Sequence, residues 1–172
     1  MTSKKLFSAL ALFWIIIIFG FIGYKEYTLK TGEEVLLNTV PIDPRDLFRG
    51  DYVVLRYEIS NLDPEIFDTN DVTFKPGDKV YVALDTTDGF GKATGIYLIP
   101  PNQGLYIKGV AKSSWMNSVE IEYGIESYFV PEGRGREIEN AFDKDIDVRI
   151  MVDKSGRSVI KALLIDGEVV RF

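Results

Sequence analysis

The chain has 172 residues, 20 basic and 26 acidic side chains and a formal net charge of −6, with neither cysteine nor histidine. Disulfides and thiolate metal sites are excluded, as are the imidazole bases and ligands on which most hydrolases and metal centres rely. From Thr31 onward 16 basic residues face 25 acidic ones, a net charge of −9, which repels nucleic acid and anionic lipid headgroups and makes neither a natural partner.

Lys4 and Lys5 precede an uncharged run, Leu6 to Tyr24, that reads LFSALALFWIIIIFGFIGY. At about 1.5 Å rise per residue it is roughly 28 Å long, close to one hydrocarbon core. The run predicts a transmembrane anchor over 6–24, after a cytoplasmic N-terminus at 1–5 and before a juxtamembrane linker at 25–33. A cleaved signal peptide is the competing reading. Cleavage wants a short apolar core and small residues before the cut. Here the core is long and exits through Gly20-Phe21-Ile22-Gly23-Tyr24, which favours an uncleaved anchor. Lys4 and Lys5 favour a cytoplasmic N-terminus, while Lys25 and Lys30 oppose it. The expectation is a single-pass protein of the cell membrane, with its N-terminus cytoplasmic and its bulk extracytoplasmic.

Residues 34–172 suffice for one domain. Short apolar runs of period two alternate with Gly, Pro, Asn and Asp clusters. They predict strands at Glu34–Val40, Tyr52–Ser60, Lys79–Leu84, Thr94–Ile99, Leu105–Ala111, Val119–Val130, Ile146–Val152, Ser158–Ile165 and Glu168–Phe172. Asp166-Gly167 is a two-residue hairpin signal, and Lys154-Ser155-Gly156 marks another tight connection. Asp63-Pro64 caps a single helical turn through Phe67, and Ile138 and Phe142 suit one face of a short helix over Arg136–Asp143. The fold class expected is mainly β: an antiparallel barrel or coiled sandwich with one or two short helices.

Residues 41–57 read PIDPRDLFRGDYVVLRY. Strand alternation puts Val53, Leu55, Tyr57 and Ile59 on one face, toward the core, and Tyr52, Val54, Arg56 and Glu58 on the other. Gly50 permits a positive φ at the start of the strand, Asp51 can accept from turn amides, and Pro41 and Pro44 stiffen the approach. This structural reading stands beside a functional one. Asp43, Arg45, Asp46, Arg49 and Arg56 crowd one turn beside Phe48 and Tyr52, a surface able to dock a partner. The pattern Gly50-Asp51-Tyr52-x-x-Leu55-x-Tyr57 resembles the signature of the GDYXXLXY family, a group of membrane-anchored proteins. The resemblance implies a multi-span membrane protein as partner class and implies no chemistry.

Two further segments resemble the membrane-anchored signal peptidases: Arg49-Gly50-Asp51-Tyr52-Val53-Val54 and Tyr106-Ile107-Lys108-Gly109-Val110. That resemblance implies Lys108 as a general base for a serine near residues 39–44. Thr31 to Asp51 contains no serine, so a copy of that fold is expected to be catalytically silent, with Thr39 as the alternative nucleophile. Asp68–Asp71 and Asp85–Gly89 offer oxygen ligands without calcium-loop spacing, so no metal and no cofactor is expected. Gly89–Gly95 fits neither phosphate-loop pattern and reads as a hairpin loop. Trp115 falls in an expected loop as an exposed contact candidate. The loop Pro131–Arg136 carries two arginines able to grip an acidic partner. The leading expectation is a non-enzymatic interaction or accessory module for another membrane protein. A Lys108-dependent hydrolase and a small-ligand barrel are the alternatives.

Overall fold

The computed structural model describes residues 3–40, 52–67, 72–115, 118–131 and 145–171, with the side chains of Ser3 and Trp115 excepted. One long helix, α1 (Ser3–Thr31), leads into strands β1 (Glu33–Asn38), β2 (Tyr52–Val54), β3 (Asn61–Leu62), β4 (Lys79–Asp85), β5 (Lys92–Tyr97) and β6 (Leu105–Trp115). Then follow β7 (Ser118–Glu122), β8 (Ser127–Phe129), β9 (Ile146–Val152), β10 (Ser158–Ile165) and β11 (Glu168–Val169). The predicted turn after Asp63 is a 3-10 turn over Pro64–Phe67, with the Asp63 carboxylate accepting from the Glu65 amide at 2.9 Å. The helix expected over Arg136–Asp143 lies outside the described residues.

The strands form a sheet ordered β1-β9-β10-β11, a sheet ordered β3-β7-β6-β4-β5 and a ribbon β2-β8, and each pairing between strands is antiparallel. Two seams curl the large sheets into a half-barrel. Leu36 of β1 bridges Phe90 and accepts from the Gly91 amide at 2.8 Å. The Lys108 amide donates to Gly156, in the β9–β10 turn, at 2.6 Å. Gly91 is required at its seam, because a Cβ there would meet Val35 Cγ1 at 2.6 Å. Alternate residues of the strands fill the interior: Val35 and Leu37 of β1, Val80 and Val82 of β4, Ile107 of β6, Val148 and Ile150 of β9 and Leu163 of β10.

The β9–β10 and β10–β11 connections follow the sequence closely. Asp166 (φ +52°) and Gly167 (φ +80°) make the two-residue hairpin. Two expected strands are interrupted. Tyr52–Ser60 is β2 followed by a 3-10 turn over Glu58–Ser60. There the Ser60 hydroxyl accepts from the Tyr57 amide at 3.0 Å and competes with the ladder for it. Val119–Val130 is broken between β7 and β8 at Gly124 (φ +80°). Trp115 is the last residue of β6, paired with Ser118, and so belongs to a strand rather than to the expected loop. β6 runs past Ala111 because a register shift between Ala111 and Ser113 lets it follow β7.

α1 is exposed along its apolar length, and its last turns dock on the β domain. Thr28 is 1% exposed. The hydroxyls of Tyr24 and Thr28 approach the Asp153 carboxylate at 3.4 and 3.5 Å, and the Arg157 guanidinium lies 5.0 Å over the Tyr24 ring. Gly32 closes the joint by donating to the Thr28 carbonyl at 2.9 Å.

Candidate functional site

Of the signature residues, the structure describes Tyr52, Leu55 and Tyr57. Gly50 and Asp51, with Arg45, Asp46 and Arg49, lie outside the described residues. The alternation of faces holds: Val53, Leu55, Tyr57 and Ile59 are all buried, whereas Arg56 and Glu58 are exposed.

Tyr57 does more than fill space. Its hydroxyl donates to the Ile125 carbonyl at 2.5 Å, and Tyr123 returns the arrangement by donating to Ile59 at 2.6 Å. The Leu55 amide donates to Glu126 at 2.8 Å. Residues 55–60 and 123–126 are thus laced together by two buried phenols and one backbone bond. Burial pushes both phenols well above the ordinary tyrosine range, and the nearby Glu126 charge adds to this.

Glu126 holds the turn that receives Tyr57. Its carboxylate accepts from the amides of Tyr123 at 2.5 Å and Gly124 at 2.8 Å. Burial raises its pKa, against the lowering effect of these amides. A carboxylate whose folded pKa is raised binds its proton more tightly when folded. Stability therefore falls as pH rises from the ordinary value of about 4.5 through the raised folded value, and is then flat. Urea midpoints between pH 4 and 7 are expected to show this decline, and Glu126→Gln is expected to flatten it; an equal slope in the variant contradicts the assignment.

Tyr52 points the other way. It pairs with Phe129 across the β2–β8 ribbon with ring centroids 6.0 Å apart, and Phe129 is 77% exposed. This gives the ribbon an outward aromatic pair. Nearby in sequence, Arg56 lines a hollow of about 290 Å³ with Ser60, Asn61, Ser113, Ser118 and Glu120. Its guanidinium sits 3.5 Å from Glu120, Glu120 accepts from Ser113 at 2.9 Å, and Ser118 bonds Asn61. The polar groups of this hollow largely satisfy one another, as in a hydrated groove.

The peptidase-like pairing fails on geometry. The Thr39 hydroxyl donates to the Ile146 carbonyl at 2.5 Å, at the start of β9. Lys108 binds through its amide to Gly156, beyond the far end of that strand. Seven residues of β9 put about 20 Å between the two places, so Thr39 and Lys108 cannot act on one bond. The Asp85 loop is an ordinary turn. Its carboxylate accepts from the Thr87 amide and hydroxyl, which hold its pKa below the usual range. Asp68–Asp71 lies outside the described residues, and no cluster of three metal-binding side chains occurs among the described ones.

The GDYXXLXY family model matches residues 14–163, most of the chain. The protein belongs to the GDYXXLXY family. Neither a curated protein nor a solved structure matches it significantly. In this family member the signature's Leu55 and Tyr57 are anchors of the fold and Tyr52 is a surface residue. The sequence marks Tyr123 only as one of several aromatics expected in the core, which it is, and gives no sign of Glu126 or of the joint formed by Thr28, Asp153 and Arg157. Tyr123 reaches Ile59 across 64 positions and Tyr24 reaches Asp153 across 129, and no local pattern signals such pairs.

Proposed function

We propose that this GDYXXLXY family member is a permanently membrane-tethered, extracytoplasmic interaction module that acts by contact rather than by catalysis. Its N-terminus is cytoplasmic, and its partner class is a multi-span membrane protein. The observation that carries this reading is the docked end of α1. The helix over Lys4–Thr31 is long and apolar enough to cross a membrane, and none of its most apolar stretch is buried. It nevertheless ends in a turn where Thr28 is buried against the β domain. Cleavage after Tyr24 would strip the Tyr24 ring from Arg157 and its hydroxyl from Asp153, which supports retention of the helix. Tyr52 and Phe129 form an outward aromatic pair, and Arg45 and Arg49 precede Tyr52 closely in the sequence; aromatic and Arg groups dominate contact surfaces.

In-membrane crosslinking of the full chain, followed by mass spectrometric identification, tests the reading. An Arg45→Ala/Arg49→Ala/Arg56→Ala variant is expected to lose a specific partner that the wild type captures. Capture of no specific partner by the wild type contradicts the proposal. For the hydrolase alternative, Lys108→Ala is expected to leave peptide hydrolysis by membranes carrying the protein at wild-type level; a loss specific to that variant would revive it. Binding of a small apolar ligand would instead favour the barrel alternative.

A further inference from the structure

A second hollow, of about 300 Å³, opens between β6, the turn after β7 and the start of β10, lined by Lys108, Val110, Glu122, Gly124, Arg157 and Ser158. Three features set it apart from the rest of this acidic domain. Two cations, Lys108 and Arg157, face it, and neither has an ion-pair partner among the described residues. The acid that shares the hollow, Glu122, is held by Lys112. Asp153, in the adjoining turn, is committed to the Ser155 amide at 2.8 Å, the Ser155 hydroxyl at 2.6 Å and the Arg157 amide at 3.1 Å. The Ser158 hydroxyl is buried with no hydrogen-bond partner, a state that a folded protein normally avoids unless something else satisfies the group.

The place of the hollow relative to α1 bears on which ligand it could take. Arg157 rests on the ring of Tyr24, the last residue of the uncharged run Leu6–Tyr24. With α1 in a bilayer, Tyr24 marks the boundary between acyl chains and headgroups, where amphipathic rings settle. The start of β10 is carried at the same level.

We propose that this hollow binds the phosphate of an anionic phospholipid in the leaflet from which α1 emerges, through Lys108 and Arg157. The inference rests on α1 being a retained anchor. It reverses locally the repulsion expected from the domain's net charge, because the lipid meets two cations that have no acidic partner among the described residues rather than the average surface. Such a contact fixes the domain's tilt on the membrane and turns the β2–β8 ribbon to a defined direction.

The test reconstitutes the full chain in phosphatidylcholine vesicles that carry a trace of headgroup-photoactivatable phosphatidylglycerol or phosphatidylcholine, and maps the adducts by mass spectrometry. Phosphatidylglycerol is expected to label residues 108–110, 122–124 and 157–158 well above phosphatidylcholine. A Lys108→Gln/Arg157→Gln variant is expected to lose most of that labelling, because the charge-assisted contacts to the phosphate go with the two cations. Lys108→Arg/Arg157→Lys should retain it, which separates lost charge from lost fold. Equal labelling by the two lipids overturns the proposal. Abolition of the labelling by millimolar glycerol 3-phosphate overturns the lipid source in favour of a soluble phosphate. In a parallel sample, phosphatidylcholine with an acyl-chain photoactivatable group reports the anchor independently: its adducts along Leu6–Tyr24 without hollow labelling sink this inference alone, and their absence sinks the anchor reading beneath it.

Discussion

Replacing Tyr57 with alanine is expected to cost the β domain about 3–5 kcal/mol, the range for deleting a large buried aromatic. Tyr57 is 1% exposed and is among the largest fully buried side chains. Alanine would leave a cavity between residues 55–60 and 123–126 and strand the Ile125 carbonyl. Tyr57→Phe isolates the polar part. The ring stays, and the loss of the 2.5 Å bond to Ile125 is expected to cost about 1–3 kcal/mol. Guanidinium unfolding of the full chain in detergent measures both. Tyr123→Phe should cost a similar amount, through Ile59. The double variant should deviate from additivity, because both phenols lace the same two segments. A Tyr57→Ala penalty below about 0.5 kcal/mol, the mark of an uncritical surface site, would contradict the role assigned to the signature tyrosine.

The second large effect is expected at Gly32. A Cβ there would meet the Thr28 carbonyl oxygen at 2.7 Å and the Val152 carbonyl oxygen and amide nitrogen at 3.0 and 3.1 Å. All three atoms are backbone, so the helix end and β9 have to part. Overpacking of this kind costs about 1–3 kcal/mol. Here it falls on the joint rather than on the interior. Gly32→Ala is therefore expected to raise the rate of tryptic cleavage after Lys30 roughly 5- to 150-fold in micelles, the opening constant that this energy implies, while β-domain unfolding stays close to wild type. Unchanged cleavage would mean that the helix end is not held by this contact.

Much of this fold is written locally. β9 and β10 occupy Ile146–Val152 and Ser158–Ile165, as the alternation between turn signals predicts, because Asp153 to Gly156 and Asp166-Gly167 end each strand with unambiguous chemistry. The inward face of the signature segment is equally legible, since period two alone decides which side chains share a face. What alternation does not reveal is where hydrogen bonding leaves the ladder. Ser60 and Glu126 each cap a turn with a side-chain oxygen, and each sits inside a run whose hydrophobic pattern still reads as continuous strand. The joint was illegible for another reason. Thr28 and Asp153 are 125 positions apart, and a threonine near the end of an apolar helix carries no sign that a β turn will cover it. The orphan Ser158 hydroxyl is likewise a product of packing, not of any motif.

The proposed function requires α1, as a membrane anchor, to form one rigid unit with the β domain. The chain has no cysteine, so Tyr27→Cys and Glu168→Cys, both at exposed positions, give a unique pair of spin labels on α1 and β11. Their distance distribution in lipid bilayers is the measurement to make. A single narrow distance that broadens on adding Gly32→Ala is the result expected; a broad distribution in the otherwise unaltered chain would show the helix to be a loose tether and contradict the account.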